Sequence, residues 1–263
     1  MTIEEVRPLA FKKGNGYVVR TANKVILIDT GIGGKFKTIE RTLASMGLDC
    51  TDIELVILTH THYDHVGNVA ACTDLSGAPV LVHAAEAQVL RDGYSGFPGG
   101  ATRFGRFMVG LVKGLGLGGA SFEPVEPEIV LGAEEDPAGS DVVARTAPGS
   151  ENVTAPGAEG KGIFDLHRYG FPGIAVHTPS HSPGSISVLA EDGSCFPGDI
   201  LFNIFPGSLM PPFADNPELL ARHWRELLDR GAARFYPGHG KPFGRARVEA
   251  TLAKLEVKAA KAG

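Results

Sequence analysis

Three short apolar runs share one grammar, and that grammar restricts what this chain can fold into. Val25-Ile26-Leu27-Ile28 ends in Asp29-Thr30-Gly31, Leu55-Val56-Ile57-Leu58 ends in Thr59-His60, and Ile174-Ala175-Val176 ends in His177-Thr178-Pro179. Each run is only a few residues long, is rich in β-branched side chains and stops at a turn signal, so each reads as a buried strand. Ile186 to Ala190 and Arg234 to Tyr236 read as further strands, the latter closed by Pro237-Gly238-His239-Gly240. Helical patterns lie between them. Leu219, Leu220, His223, Trp224, Leu227 and Leu228 fall on one face after the start signal Asn216-Pro217-Glu218, and Arg245 to Ala262 forms the last helix. Strands alternating with helices predict an α/β layer architecture, with its polar chemistry placed just after the strand ends.

With 263 residues and 43% hydrophobic content the chain can build a substantial core, read here as one domain spanning 1–263. Net charge is −5 and the basic residues are scattered, so no nucleic-acid partner is expected. No apolar run approaches the roughly 18 residues that a membrane span needs. The opening MTIEEVRPLA carries acids where an export signal carries positive charge, so a cytoplasmic protein is expected. Cys50, Cys72 and Cys195 are an odd number at wide spacing, which suggests neither a disulfide framework nor a zinc knuckle. Cys195, in an apolar stretch, reads as a small buried strand residue.

Two segments break the pattern. Gly93 to Gly119 interleaves many glycines with Phe97, Phe104, Phe107, Met108, Leu111 and Leu115, too apolar for a linker and too glycine-rich for a good helix. Ala133 to Gly162 has no Leu, Ile, Met or aromatic residue and reads as an exposed, mobile excursion. Together they suggest an inserted, lid-like segment at about 91–165.

The strand Leu55 to Leu58 runs into Thr59-His60-Thr61-His62-Tyr63-Asp64-His65. Three imidazoles and a carboxylate set so closely would repel one another if charged and leave lone pairs converging if neutral, an arrangement that suits a cation. Nitrogen and carboxylate donors without thiolate favour zinc, with iron or manganese as alternatives. Four donors from one loop do not all reach one ion comfortably. Side chains two apart on an extended stretch point the same way, so His60 and His62 can grip one metal while Asp64 and His65, after the turn, face a second.

Further donors follow with the same strand-then-turn grammar, in Thr178-Pro179-Ser180-His181-Ser182-Pro183-Gly184-Ser185, in Gly198-Asp199 and in Gly238-His239-Gly240. In this order, after Asp29-Thr30-Gly31 and HTHYDH, the motifs resemble those of the metallo-β-lactamase superfamily of dinuclear metallohydrolases. The resemblance runs from about Asn15 to Gly240 and leaves out the two odd segments. It implies a four-layer αββα sandwich of two mixed sheets flanked by helices. It also implies that His60, His62 and His181 hold one metal, that Asp64, His65 and His239 hold the second, and that Asp199 bridges them. Asp29 matches the family's supporting acid, which orients ligating imidazoles without being a reliable ligand. Ser180 departs from the glycine of many relatives, a change expected to affect loop conformation more than metal binding. His83, His167, His177 and His223 read as structural.

Two divalent ions about 3.5–4 Å apart can share a water and present hydroxide as a nucleophile. Asp64 is expected to orient that bridging hydroxide, which makes it the candidate catalytic residue. The proton donor is not readable, and Tyr63 and Tyr169 read as packing. An exported β-lactamase is disfavoured by the opening residues, and a glutathione-dependent glyoxalase II by the short tail after Gly240. The absence of a basic surface disfavours tRNA processing, and the intact histidine motif disfavours a flavodiiron protein. The expected activity is hydrolysis of a small ester, thioester or lactone, with Phe97 to Leu117 walling the site for an apolar acyl part. That segment can also be read as a homodimer contact or an inserted pair of helices. The alternative functions are a metal-dependent phosphodiesterase or nuclease and a non-catalytic metal-binding sensor or scaffold.

Overall fold

The computed structural model describes residues 2–9, 11, 14–97, 99–114, 119–132 and 162–260. The excursion expected at 133–162 therefore lies outside the described residues except for Gly162. Two six-stranded sheets form the middle of the molecule. The first runs, in spatial order, Ile3–Leu9, Gly16–Thr21, Val25–Ile28, Ile53–Ile57, Val80–His83 and Ile129–Leu131. Its first three strands pair antiparallel and its last three join in parallel. The second runs Phe243–Gly244, Arg234–Phe235, Ser194–Phe196, Ile186–Ala190, Gly173–His177 and Ile163–Asp165, with one parallel pair between Ser194–Phe196 and Arg234–Phe235. The edge strands Ile129–Leu131 and Ile163–Asp165 fall within the 91–165 stretch expected as an insertion.

The alternation of side chains along each strand builds the layers. Ile26, Ile28, Leu55 and Ile57 turn toward the second sheet and pack with Phe171, Ala175, Ile186, Val188 and Phe196. Their neighbours Val25, Leu27, Val56 and Leu58 turn the other way, into a cluster with Ile39 and Leu43 of helix Phe36–Ser45 and Leu90 of helix Ala84–Asp92. On the far side, Val176, Leu189 and Cys195 of the second sheet meet Trp224 and Leu227 of helix Leu220–Asp229 and Val248 of helix Arg245–Ala260. The result is helix, sheet, sheet, helix, the sandwich that the motif order implied. Cys195 is fully buried among these side chains, as expected for a small strand residue.

One expectation is corrected. The glycine content of Gly93 to Gly119 argued against a helix, yet Arg103–Gly114 is helical, flanked by the short paired strands Tyr94–Gly96 and Gly119–Ser121. Part of the reason lies at Gly105, where a Cβ would stand 1.8 Å from the carbonyl oxygen of Pro212. This glycine lets the helix approach a neighbouring backbone, and that contact offsets its poor helix propensity.

Phe196 is 1% exposed between the sheets, stacked on Tyr236 at 5.0 Å and edge-on to Tyr17 at 5.4 Å. Phe196→Ala should therefore lower stability by about 3–5 kcal/mol in a urea titration. A loss below about 1 kcal/mol would show that the intersheet layer does not depend on this ring.

Candidate metal centre

The polar side chains gather where the chain leaves strand ends of both sheets, at one edge of the sandwich, with Asp64 and His65 in the short helix Tyr63–Val66 and His239 in the two-residue strand His239–Gly240. Asp29 follows Val25–Ile28, His60 and His62 follow Ile53–Ile57, His181 follows Gly173–His177, and Asp199 follows Ser194–Phe196. Backbone hydrogen bonds sew the loops together: Ile186 N–H donates to Thr59 O (2.9 Å), Gly238 N–H to Gly198 O (2.9 Å) and Asn15 N–H to Gly238 O (2.6 Å). Tyr17 Oη–H donates to Pro237 O at 2.7 Å, which ties the last histidine loop to the first sheet.

The rings are oriented from behind. Asp29 Oδ1 accepts from the backbone N–H of Thr59 (2.8 Å), and Oδ2 accepts from Thr59 Oγ1 (2.8 Å) and His65 Nδ1 (2.9 Å). Because the Thr59 hydroxyl directs its proton to Asp29, its oxygen accepts from His60 Nδ1 at 3.0 Å. His181 Nδ1 donates to the carbonyl of Phe213 at 2.9 Å. In each case the Nδ1 proton is placed outward, which leaves Nε2 to face the common centre.

There the donor atoms converge. His60, His62 and His181 offer ligand atoms within 4.8 Å of one another, as do His60, His65 and Asp199, and Asp64, His65 and His239. Asp199 reaches across both groups: Oδ1 lies 3.3 Å from His65 Nε2, and Oδ2 lies 3.3 Å from His239 Nε2, 3.5 Å from His181 Nε2 and 3.9 Å from His60 Nε2. Asp64 Oδ2 is 3.4 Å from His239 Nε2. His60 Nε2, His65 Nε2 and Asp199 Oδ1 are buried without a hydrogen-bond partner. Such orphaned polar atoms are costly in a core, and three of them aimed at one point fit divalent cations. Gly238 closes the cradle, since a Cβ there would stand 2.0 Å from Asp199 Oδ1.

The two groups differ electrostatically. Burial is the largest influence on His60, His62 and His181 and pushes all three down, His62 and His181 to about 4, so these rings are neutral at pH 7. Burial is also the largest single influence on His65 and His239 and works against their protonated forms, but the facing carboxylates, Asp199 with Asp29 for His65 and Asp199 with Asp64 for His239, together outweigh it. His65, which also faces Asp29, is held well above its ordinary value, and His239 rises to about 9. The burial that disfavours ionised Asp64 and Asp199 is likewise overcome by the facing histidines, so both carboxyls are held low.

The other sequence candidates separate cleanly. Tyr63 is half-buried and lines the cleft over the donors with Phe97, Phe202 and Phe213. Tyr169 is not among the lining residues and lies under the Arg168 guanidinium at 5.2 Å. His83 accepts from the Ala85 N–H at the start of a helix and stacks on His177 at 4.0 Å. His167 bridges Asp165 and Glu191. Ser180, the departure from glycine, has its Oγ 3.2 Å from His223 Nδ1, so the loop before His181 is tied to helix Leu220–Asp229. Sequence reading missed Thr59 and the Phe213 carbonyl. Thr59 adjoins the motif and could have been suspected, but a carbonyl from a residue 32 positions away leaves no signal in the sequence.

A layered α/β sandwich with imidazoles and carboxylates clustered at one edge defines a metallohydrolase type. The sequence profile described as the metallo-beta-lactamase superfamily matches residues 10–239, and the chain belongs to that superfamily. It is therefore a hydrolase of a metal-dependent kind, and the described residues include no helix long and apolar enough to cross a membrane. A probable metallo-hydrolase of Methanocaldococcus jannaschii is 27% identical over 232 residues, 86% of this chain and 87% of the relative. The crystal structure of a metallo-beta-lactamase family protein from Thermus thermophilus has a TM-score of 0.58 at 21% identity, covering 97% of this chain and 79% of that one. A protein solved in a di-iron-bound form has a TM-score of 0.54 at 24% identity, covering 94% and 96%.

The electrostatic contrast has a measurable consequence. A cation entering among Asp64, His65 and His239 must displace protons that the raised histidines hold, whereas His60, His62 and His181 have none to give up near neutrality. Affinity of the former group should climb as pH rises toward 9, by about tenfold per unit for each proton displaced. The three-histidine group should be flat above about pH 6. Metal titrations of stripped protein at pH 6, 7 and 8 check this, and equal slopes for both equivalents would refute it. Asp29→Ala, which unlatches both His65 and the Thr59 relay, should weaken metal binding about 10–100-fold in the same assay.

Proposed function

We propose that this chain is a dinuclear metallohydrolase that cleaves a small ester, thioester or lactone with an apolar acyl part. In this reading His60, His62 and His181 hold one ion, Asp64, His65 and His239 hold the other, and Asp199 serves both. When bound, such ions supply a water-derived nucleophile of near-neutral pKa and polarise the scissile carbonyl. Zinc suits the nitrogen and carboxylate donors, and the di-iron form of one structural relative keeps iron as the alternative. Asp64 lines the cleft as an ionised carboxylate, which equips it to accept a hydrogen bond from the attacking water and to orient it.

The observation that supports an acyl substrate is the wall opposite these donors. Phe97 and Phe213 meet edge-on at 5.4 Å, and Phe202 stacks on His239 at 4.4 Å. The wall is braced: Gly99 O accepts from the Ala214 N–H (2.8 Å), and the Ala101 N–H donates to Pro212 O (3.0 Å). Phe213 thus faces the cleft with its ring while its carbonyl steadies His181. An apolar wall with polar chemistry on one side favours a substrate with a greasy acyl part and a single polarised carbonyl.

Metal-stripped and reconstituted protein assayed against lactones, thioesters, acyl esters and phosphodiesters tests the proposal. We expect two equivalents of metal and turnover of acyl substrates, and turnover of phosphodiesters alone would overturn the reading. Phe97→Ala should lower kcat/KM for long-chain acyl esters about tenfold while sparing short ones, because only the long chain loses apolar contact. An unchanged chain-length preference would sink the acyl-wall assignment.

A further inference from the structure

Glu86 stands in the first turn of helix Ala84–Asp92, where an acid ordinarily faces solvent and offsets the helix dipole. Here it is 5% exposed and forms no ion pair among the described residues. Its carboxylate is instead satisfied by donors from two different loops. Oε2 accepts from the backbone N–H of Thr61 at 3.3 Å and from Thr61 Oγ1. Oε1 accepts from Ser182 Oγ at 2.5 Å and from the Gly184 N–H at 3.1 Å. Charge-assisted hydrogen bonds of this kind offset the cost of burying the carboxylate.

The placement of those donors matters. Thr61 separates His60 from His62 on the loop that leaves the first sheet, and Ser182 follows His181 on the loop that leaves the second. Ser182 is further braced by Ser185, whose Oγ accepts the Ser182 N–H at 3.0 Å. The fit leaves no spare room, since a Cβ on Gly184 would lie 2.4 Å from Glu86 Cγ. His60 and His181 each have an outward hydrogen bond of their own, to Thr59 and to Phe213. His62 has none among the described residues: its hydrogen bond runs inward, from Nδ1 to His181 Nε2 at 2.8 Å. The position of His62 therefore depends on the backbone beside it, and that backbone is the part Glu86 holds.

We infer that Glu86 is a positioning residue that sets the spacing of His62 and His181 across the two halves of the sandwich, and so governs affinity for the ion held by His60, His62 and His181. This rests on the dinuclear reading above. Glutamine keeps the shape of the side chain but turns an NH2 toward one of two backbone N–H groups, so Glu86→Gln breaks the latch on one side without opening a cavity.

The test is a cobalt(II) titration of metal-stripped protein, followed by calorimetry and by visible absorption, with the melting temperature of the metal-free form recorded alongside. The parent should take up two equivalents. In E86Q one equivalent should bind about 10–100-fold more weakly while the other stays within about twofold. In a His239→Ala background, which removes a ligand of the other group, the weakened equivalent should be the one that remains. Ser182→Ala, which takes away one donor, should weaken the same equivalent several-fold and serves if E86Q does not fold. A parent that binds fewer than two equivalents overturns the dinuclear reading and this inference with it. Two parental equivalents that the variants bind unchanged, or weaken equally, overturn this inference alone, whatever happens to the melting temperature.

Discussion

The donor cluster hangs on a buried carboxylate, Asp29. It takes the backbone N–H and hydroxyl of Thr59 and the Nδ1–H of His65, and through the Thr59 oxygen it also steadies His60. To do so it adopts a φ of 55°, the one positive φ among the described residues that are not glycine. Aspartate is among the few residues that tolerate that conformation, and here three hydrogen bonds hold it there. One side chain thus sets which face of two imidazoles looks inward, one from each proposed metal group.

From that anchor the site divides into unlike halves. His60, His62 and His181 are kept neutral chiefly by burial, whereas His65 and His239 face carboxylates that favour their protonated forms. The difference follows from where the acids stand. Asp29 reaches the ring of His65 directly and His60 only through a neutral threonine, and Asp64 approaches His239. Asp199 lies nearer to His65 and His239, at 3.3 Å, than to His60, at 3.9 Å. A shared carboxylate can therefore serve two groups whose readiness to accept a cation differs.

The glycine-rich stretch shows how composition can mislead. Its glycines weigh against a helix when each residue is judged by propensity alone, but Gly105 packs against the carbonyl of Pro212, a contact that exists only in the folded chain. The same neighbourhood links wall to ligand, because the 212–215 segment that pairs with Gly99 and Ala101 also carries the carbonyl that steadies His181. The wall is thereby joined, through backbone hydrogen bonds, to the segment that steadies the His181 ring.

Strand periodicity and turn residues are local properties, so they were enough to predict an α/β layer architecture, while the four-layer sandwich followed from the resemblance of the motif order to a known superfamily; Ile26 and Ile28 face one way and Val25 and Leu27 the other, as alternation requires. The same local grammar marked the donor residues, most of them in segments that follow a strand. What it could not contain is the set of contacts made across the two sheets. Glu86 looks like an ordinary acid at a helix start until burial shows it between Thr61 and Ser182, and the Phe213 carbonyl has no side-chain identity to betray it. Tertiary structure alone decided these, since hydrogen bonds between residues 25, 32 and 96 positions apart depend on packing that no local window of sequence records.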